Sequence, residues 1–330
     1  MDYEYLVSHC KVRPSTRPQV RRFRERLAVW KEWLSEDEHS IWTQIRRMLW
    51  ADMVFRTINE CRRMAIEDSS GNIQQNAAIA SFIDEGYVAN QLLAIRRLTE
   101  KDTRGDAISL LRILEDMKSN ADLFTREVYV CHDGLPFDTT PARKRELERS
   151  ARNAKRNGGV SFGYLPMRGP EAFIAAERMQ NHFDRLIGAS GGAWLRDDKL
   201  DPKVFSDLRR NLDCCLSINR YASKYIAHAA DAGSRGELNR GERRITLNRL
   251  EVCQRAICKV AAYVHGPLLF IGSVGLVPLP PFQHLRGLEK AWIGENDLDK
   301  IHEYWKSRAS EIEAWTNIDV ESVCSEKTKN

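Results

Sequence analysis

Apolar residues recur at helical spacing through most of the chain. Over 18–34 (PQVRRFRERLAVWKEWL), Pro18 sits in the first turn and Phe23, Leu27, Trp30 and Leu34 fall on one face. The longest stripe runs over 38–66 through Ile41, Ile45, Met48, Leu49, Phe55, Ile58 and Cys61, and the cluster Asp68-Ser69-Ser70-Gly71 ends it. The same pattern predicts a helix over 73–99, a turn at 101–105 and a short helix over 106–118. Between 132 and 170 the periodicity lapses, and HDGLPFDTTP, a basic run and NGGVSFGYLPMRGP predict an insertion with room for one exposed helix. Helix resumes over 170–188 and breaks at Gly188–Gly192. A long helix is expected over 202–230, a polar loop over 231–244, and a helix over 247–264 with Thr246 as its cap. After Pro267 the pattern is irregular until an amphipathic helix over 297–315, whose Leu298, Ile301, Trp305, Ile312 and Trp315 form a docking face. Residues beyond 318 are expected to fray.

The single strand candidate is VYVCH (128–132). The expected architecture is therefore all-α: an antiparallel helical bundle over 1–266 with the insertion at 132–170, then a C-terminal extension over 267–330.

Composition narrows the class without naming a function. Hydrophobic residues make up 42% and charged residues 29%, as in ordinary soluble proteins. MDYEYLVSHCKVRPS lacks the apolar core of a signal peptide, and PLLFIGSVGLVPLPPF (267–282) is too short and too rich in Gly and Pro to span a bilayer. A cytoplasmic protein with no membrane partner is the expectation. The eight cysteines are scattered and read as reduced thiols, with no zinc site and no other metal or cofactor. Segment 142–157 carries seven Lys/Arg against two Glu, a local +5 that equals the net charge of the whole chain. It reads as a solvated helix or a mobile insertion, and only secondarily as a nucleic-acid contact. Walker loops, HExxH, paired Glu-xx-His and nucleophile elbows are not found.

The stretch 219–231, NRYASKYIAHAAD, holds the one constellation with chemical potential. Arg220, Lys224 and His228 are four apart, so an α-helix would stack two cations and an imidazole on one face. The small Ala227, Ala229 and Ala230 allow close approach, and apolar Ile226 suggests packing beside His228. Unless an anion joins them, the cations disfavour protonation of the imidazole. A phosphodiester would pair with Arg220 and Lys224 and leave His228 to move protons.

Four phrases in order, LWADMVFRTINE (49–60), QLLAIRRLTEKD (91–102), SLLRILEDM (109–117) and NRYASKYIAHAAD, resemble the abortive-infection U-type branch of the HEPN superfamily over about residues 20–265. That resemblance implies a dimerising helical bundle. In many members it also implies a metal-independent ribonuclease whose Arg and His meet those of a second protomer. The family's His then falls on His228 and its basic position on Lys224, while its Arg falls on Ala222 and its Asn on Ser223. Either Arg220 and Lys224 have taken over the anion role, or this chain binds without cutting. Arg97, with Arg96 and Asn219, is the further candidate for holding RNA phosphate in the same groove. The functions implied are an endoribonuclease of a host-defence or toxin-type system, a non-catalytic RNA-binding or antitoxin-interacting homodimer, or a scaffold with no nucleic-acid role. A protein inhibitor or antitoxin is a possible partner.

Overall fold

The computed structural model describes residues 5–65, 69, 76–101, 106–156, 158–159, 165–189, 193–227, 231–272, 275, 283, 285–286, 288 and 297–314. The chain divides into two units, Met1–Pro278 and Leu279–Asn330. The described residues are mostly helical and form no strand beyond one isolated bridge between Thr125 and Lys199.

In the first unit the helices are α1 (Arg17–Lys31), α2 (Ile41–Arg63), α3 (Ala77–Thr99), α4 (Leu110–Ser119), α5 (Arg126–Cys131), α6 (Thr140–Arg156), α7 (Phe173–Ile187), α8 (Lys203–Asn211), α9 (Leu216–Tyr221), α10 (Ala232–Gly236), α11 (Arg240–Arg243) and α12 (Leu247–Tyr263). Polar side chains set most starts. Ser40, Asn76, Ser109, Thr125 and Thr246 each accept a hydrogen bond from the backbone N–H three residues on, which satisfies a donor the helix leaves open. Gly188 ends α7 in the left-handed region at φ 69°, a geometry that favours glycine.

Helices α2 and α3 pack along each other, and α12 packs on both. Their shared interface is largely apolar and carries two buried polar relays. The Gln91 amide donates to the Met48 carbonyl at 2.9 Å, and Gln254 donates to Gln91 at 2.9 Å. Tyr87 donates its hydroxyl to Asp52 at 2.5 Å, and Arg56 holds the same carboxylate at 2.8 Å. Burial beside that carboxylate pushes the Tyr87 hydroxyl pKa well above its ordinary value. A second, aromatic layer joins α1 to its neighbours: Phe124 lies 5.5 Å from Trp30 and 5.8 Å from Phe23, ring centre to ring centre.

Three expectations are corrected. VYVCH is not a strand: it lies mostly within α5, where the Thr125 cap and complete burial override the strand preference of two valines. The exposed helix allowed for in the insertion is present as α6, whose Arg145 pairs with Glu171 at 2.8 Å and whose Arg143 pairs with Glu177 on α7. The basic run is thus largely a helix with acidic partners. The long helix over 202–230 is broken: α8 stops at Asn211, a 3-10 turn spans Asp213–Cys215, α9 is short, and Ala222–Ala227 is a π-helical turn. Leu212 and Cys215 are buried at that break, and anchoring both in the core re-aims the helix. Residues 231–244, expected as loop, hold α10 and α11.

Around α5 lies an ionic cluster that the hydrophobic pattern conceals. The Glu127 carboxylate is fully buried and accepts from the Arg13 backbone N–H at 2.8 Å, Arg13 Nε at 2.7 Å, the Thr16 hydroxyl at 2.8 Å and Arg196. Arg126, its neighbour, is also buried and pairs with Asp184 at 2.6 Å and Asp198 at 2.7 Å. In the second unit, α13 (Leu298–Ala314) forms where periodicity placed it, with Leu298, Ile301, Trp305 and Ile312 exposed.

Candidate functional site

Residues 219–227 lie along α9 and the π turn, which pack on α3. The joint is specific. Asn219 Nδ2 donates to Thr99 Oγ1 at 2.9 Å, and the Thr99 hydroxyl donates back within α3 to Ile95 at 2.7 Å. The phrases RRLT and NRYASKYIAH therefore meet in space. Asn219 thus commits one amide N–H to this joint.

Ala222 is completely buried. A guanidinium at that position would enter the core rather than reach a ligand. The next turn is π-helical, with i→i+5 hydrogen bonding, and it advances by a smaller angle per residue than an α-helix. Residues four apart still fall on nearly one side of such a turn, so Arg220 and Lys224 share a face. Arg220 reaches Glu242 on α11, and Lys224 reaches Glu237 and the Ser234 carbonyl, the latter at 2.6 Å. Both cations already hold anions, and both anions come from the segment that follows.

Glu242 has a second duty. Its other carboxylate oxygen accepts from the Asn239 N–H at 3.1 Å while Asn239 caps the Glu242 N–H at 2.9 Å, a reciprocal box that fixes α11. The carboxylate meeting Arg220 is thus held in place by its own helix.

His228 lies outside the described residues. The expected packing beside it is not found in its described neighbours: Tyr225, Ile226 and Ala227 are exposed, and Tyr225 stacks on Tyr221 at 4.6 Å. Arg96 pairs with Glu100 at 3.2 Å. Arg97 is exposed and lines a different cavity, of about 660 Å³, with Arg47, Glu100 and Asp106. Thr99 takes the α3 face toward α9, and Arg97, two residues earlier, lies about 200° around the helix. Its expected placement in the same groove is corrected.

No protein-family model, curated protein or solved structure matches the chain. Function must be argued from the site.

Two features escaped sequence reasoning. One is the pairing of Arg220 and Lys224 with Glu242 and Glu237, whose spacing exceeds a helical turn. The other is a meeting of three thiols. The sulfurs of Cys214, Cys215 and Cys253 all lie within 4.8 Å of one another, which corrects the reading of the cysteines as merely scattered. The adjacent pair Cys214-Cys215 was the available signal, but Cys253 arrives from α12 and no local spacing announces it. All seven cysteines among the described residues are free thiols, as expected. No described helix is long and apolar enough to cross a membrane.

Proposed function

We propose that this chain is a HEPN-like helical protein of a host-defence or toxin-type system that binds RNA through the face carrying Arg220 and Lys224. The observation that carries the reading is that both cations of this face already hold a carboxylate, at Glu242 and Glu237. The face is built to bind anions, and its intramolecular anions stand where phosphates would. The Lys224–Glu237 pair is displaceable because Glu237 is 71% exposed. Surface pairs of this kind are worth about 1 kcal/mol or less, so a polyanion contacting several cations can replace them. The joint between Thr99 and Asn219 further supports an antiparallel HEPN-like bundle, because it brings together the phrases that the resemblance rests on. Exposed Tyr225 and Ile226, beside the paired cations, are what a homodimer or a protein inhibitor would cover.

Binding is favoured over cleavage because Ala222 is buried where the resemblance expects an arginine. Endoribonuclease activity is the second reading, and it requires His228 to supply the base. The position of Lys224 on the turn leading to His228 favours it.

Fluorescence anisotropy with single-stranded RNA tests the first reading. Salt-dependent affinity is expected, and Arg220→Ala with Lys224→Ala should lower both the affinity and the salt slope. Affinity unchanged by the double substitution overturns it. Metal-free RNA cleavage lost in His228→Ala would decide for the second.

A further inference from the structure

We propose that Cys214, Cys215 and Cys253 form a tris-thiolate site for a monovalent thiophilic metal ion, Cu(I). Cys214 and Cys215 lie on the 3-10 turn that joins α8 to α9, and Cys253 projects from α12, which packs against that turn. The Cys214 and Cys215 sulfurs are 3.9 Å apart, and every sulfur in the set lies within 4.8 Å of the others. Three sulfurs each about 2.3 Å from one ion stand about 3.8 to 4.0 Å apart, so a small closure of the triangle completes the site.

The number of donors then selects the ion. Among the described residues no histidine, carboxylate or fourth cysteine joins the three sulfurs. Zn(II) and iron–sulfur clusters prefer four donors, whereas Cu(I) is satisfied by three soft thiolates. Access and shielding also suit a bound ion. Cys215 and Cys253 are buried, and Cys214 is exposed and opens the site to solvent. Binding releases the three thiol protons to solvent and forms three Cu–S bonds, with no change in oxidation state. Cys253 loses only a long S–H···O bond to the Cys214 carbonyl, at 3.5 Å.

The Arg249 guanidinium lies near Cys253. Arg249 is itself fixed by the Ser217 hydroxyl at 2.9 Å and the Gly241 carbonyl at 2.7 Å. Its guanidinium offsets part of the negative charge that three thiolates and one Cu(I) carry.

The test is anaerobic titration of the reduced full-length chain with Cu(I) against a chromophoric Cu(I) chelator. One Cu(I) per chain is expected, with an ultraviolet thiolate-to-copper charge-transfer band and three sulfurs at about 2.3 Å by X-ray absorption. Cys214→Ser changes an exposed side chain and should fold, yet should weaken binding roughly tenfold or more. Cys61→Ser, away from the site, should leave the affinity unchanged. Cu(I) held with equal affinity by Cys214→Ser would overturn the proposal. So would a chain that retains no Cu(I), or one that prefers Zn(II) with a fourth, light-atom ligand.

Discussion

The carboxylates of Glu127 and Glu237 each hold a cation, yet they sit at opposite extremes of exposure. Glu127 is fully buried and Glu237 is 71% exposed. Glu127 has four donors aimed at it, from residues 13, 16 and 196, so the start of α1 and the segment before α8 are tied to α5 through one side chain. Glu237 has one charged partner, on a turn whose outer residues face water. The first arrangement costs a great deal to build, and damage to it strands the buried Thr16 hydroxyl, while Arg13 and Arg196 keep contact with water and Arg13 keeps Asp197. The second costs little to make or break, and that suits a surface that must exchange one anion for another. Ionic chemistry in this chain thus serves locking in one place and recognition in the other.

The largest effect should follow from breaking the lock. Glu127→Ala removes the carboxylate shared by Arg13, Thr16 and Arg196 and should lower unfolding stability by about 2–3 kcal/mol in urea melts. A loss below 1 kcal/mol would erase the distinction between the two regions. Burial alone would raise the Glu127 pKa, but hydrogen bonds from the Arg13 N–H, the Thr16 hydroxyl and the two guanidinium groups hold it below the ordinary carboxylate value. A depressed carboxylate stabilises the fold above its unfolded pKa, and that contribution disappears as pH falls through the folded value.

A second acid-sensitive group lies beside α5. Burial pushes the His132 pKa down to about 4, partly opposed by its hydrogen bond with the Tyr129 carbonyl. The folded state therefore prefers the neutral ring, and stability is complete above about pH 6.5. As pH falls from there toward 4 the unfolded chain takes up the proton first and the fold weakens. The full shift would carry about 3 kcal/mol. His132 keeps a partly exposed edge, so the loss should be smaller, about 1–2 kcal/mol. His132→Phe should flatten this slope in denaturant melts at several pH values, and an unchanged slope would show that another group titrates there.

Smaller effects belong to the exposed region. Glu237→Gln removes the exposed carboxylate and should change stability by less than about 1 kcal/mol. It should also strengthen RNA binding severalfold by removing a competing anion; weaker binding would show that the carboxylate positions Lys224 instead. The smallest expected change is that of Lys224→Ala, near zero in stability, with the salt slope of RNA binding reduced by about one phosphate contact. A loss of several kcal/mol from Lys224→Ala would place it with the buried lock.

Helix positions were readable because their signals are local. Ser40, Ser109 and Thr246 stand directly before apolar periodicity, and each caps the helix that follows. α5 was not readable, since two valines and a tyrosine favour a strand and only burial reverses that preference. The π-helical turn after Ala222 was equally hidden, because its residues read as ordinary helix. Partners distant in sequence left no trace either: Glu127 meets Arg13 and Arg196, and Cys253 meets Cys214, across separations that no periodicity spans. The candidate site was therefore legible in its cations and illegible in its anions.

The π-helical turn at Ala222–Ala227 has a genetic consequence. Such a turn is an α-helix carrying one residue in excess, and losing a single codon there lets the remaining backbone close into ordinary helix. The same deletion within α12 has no slack to draw on and would rotate everything beyond it by about 100° against a packed core. One short segment thus gives the chain a tolerant place for a frame-preserving loss, and the residue whose azimuth that loss would reset is Lys224.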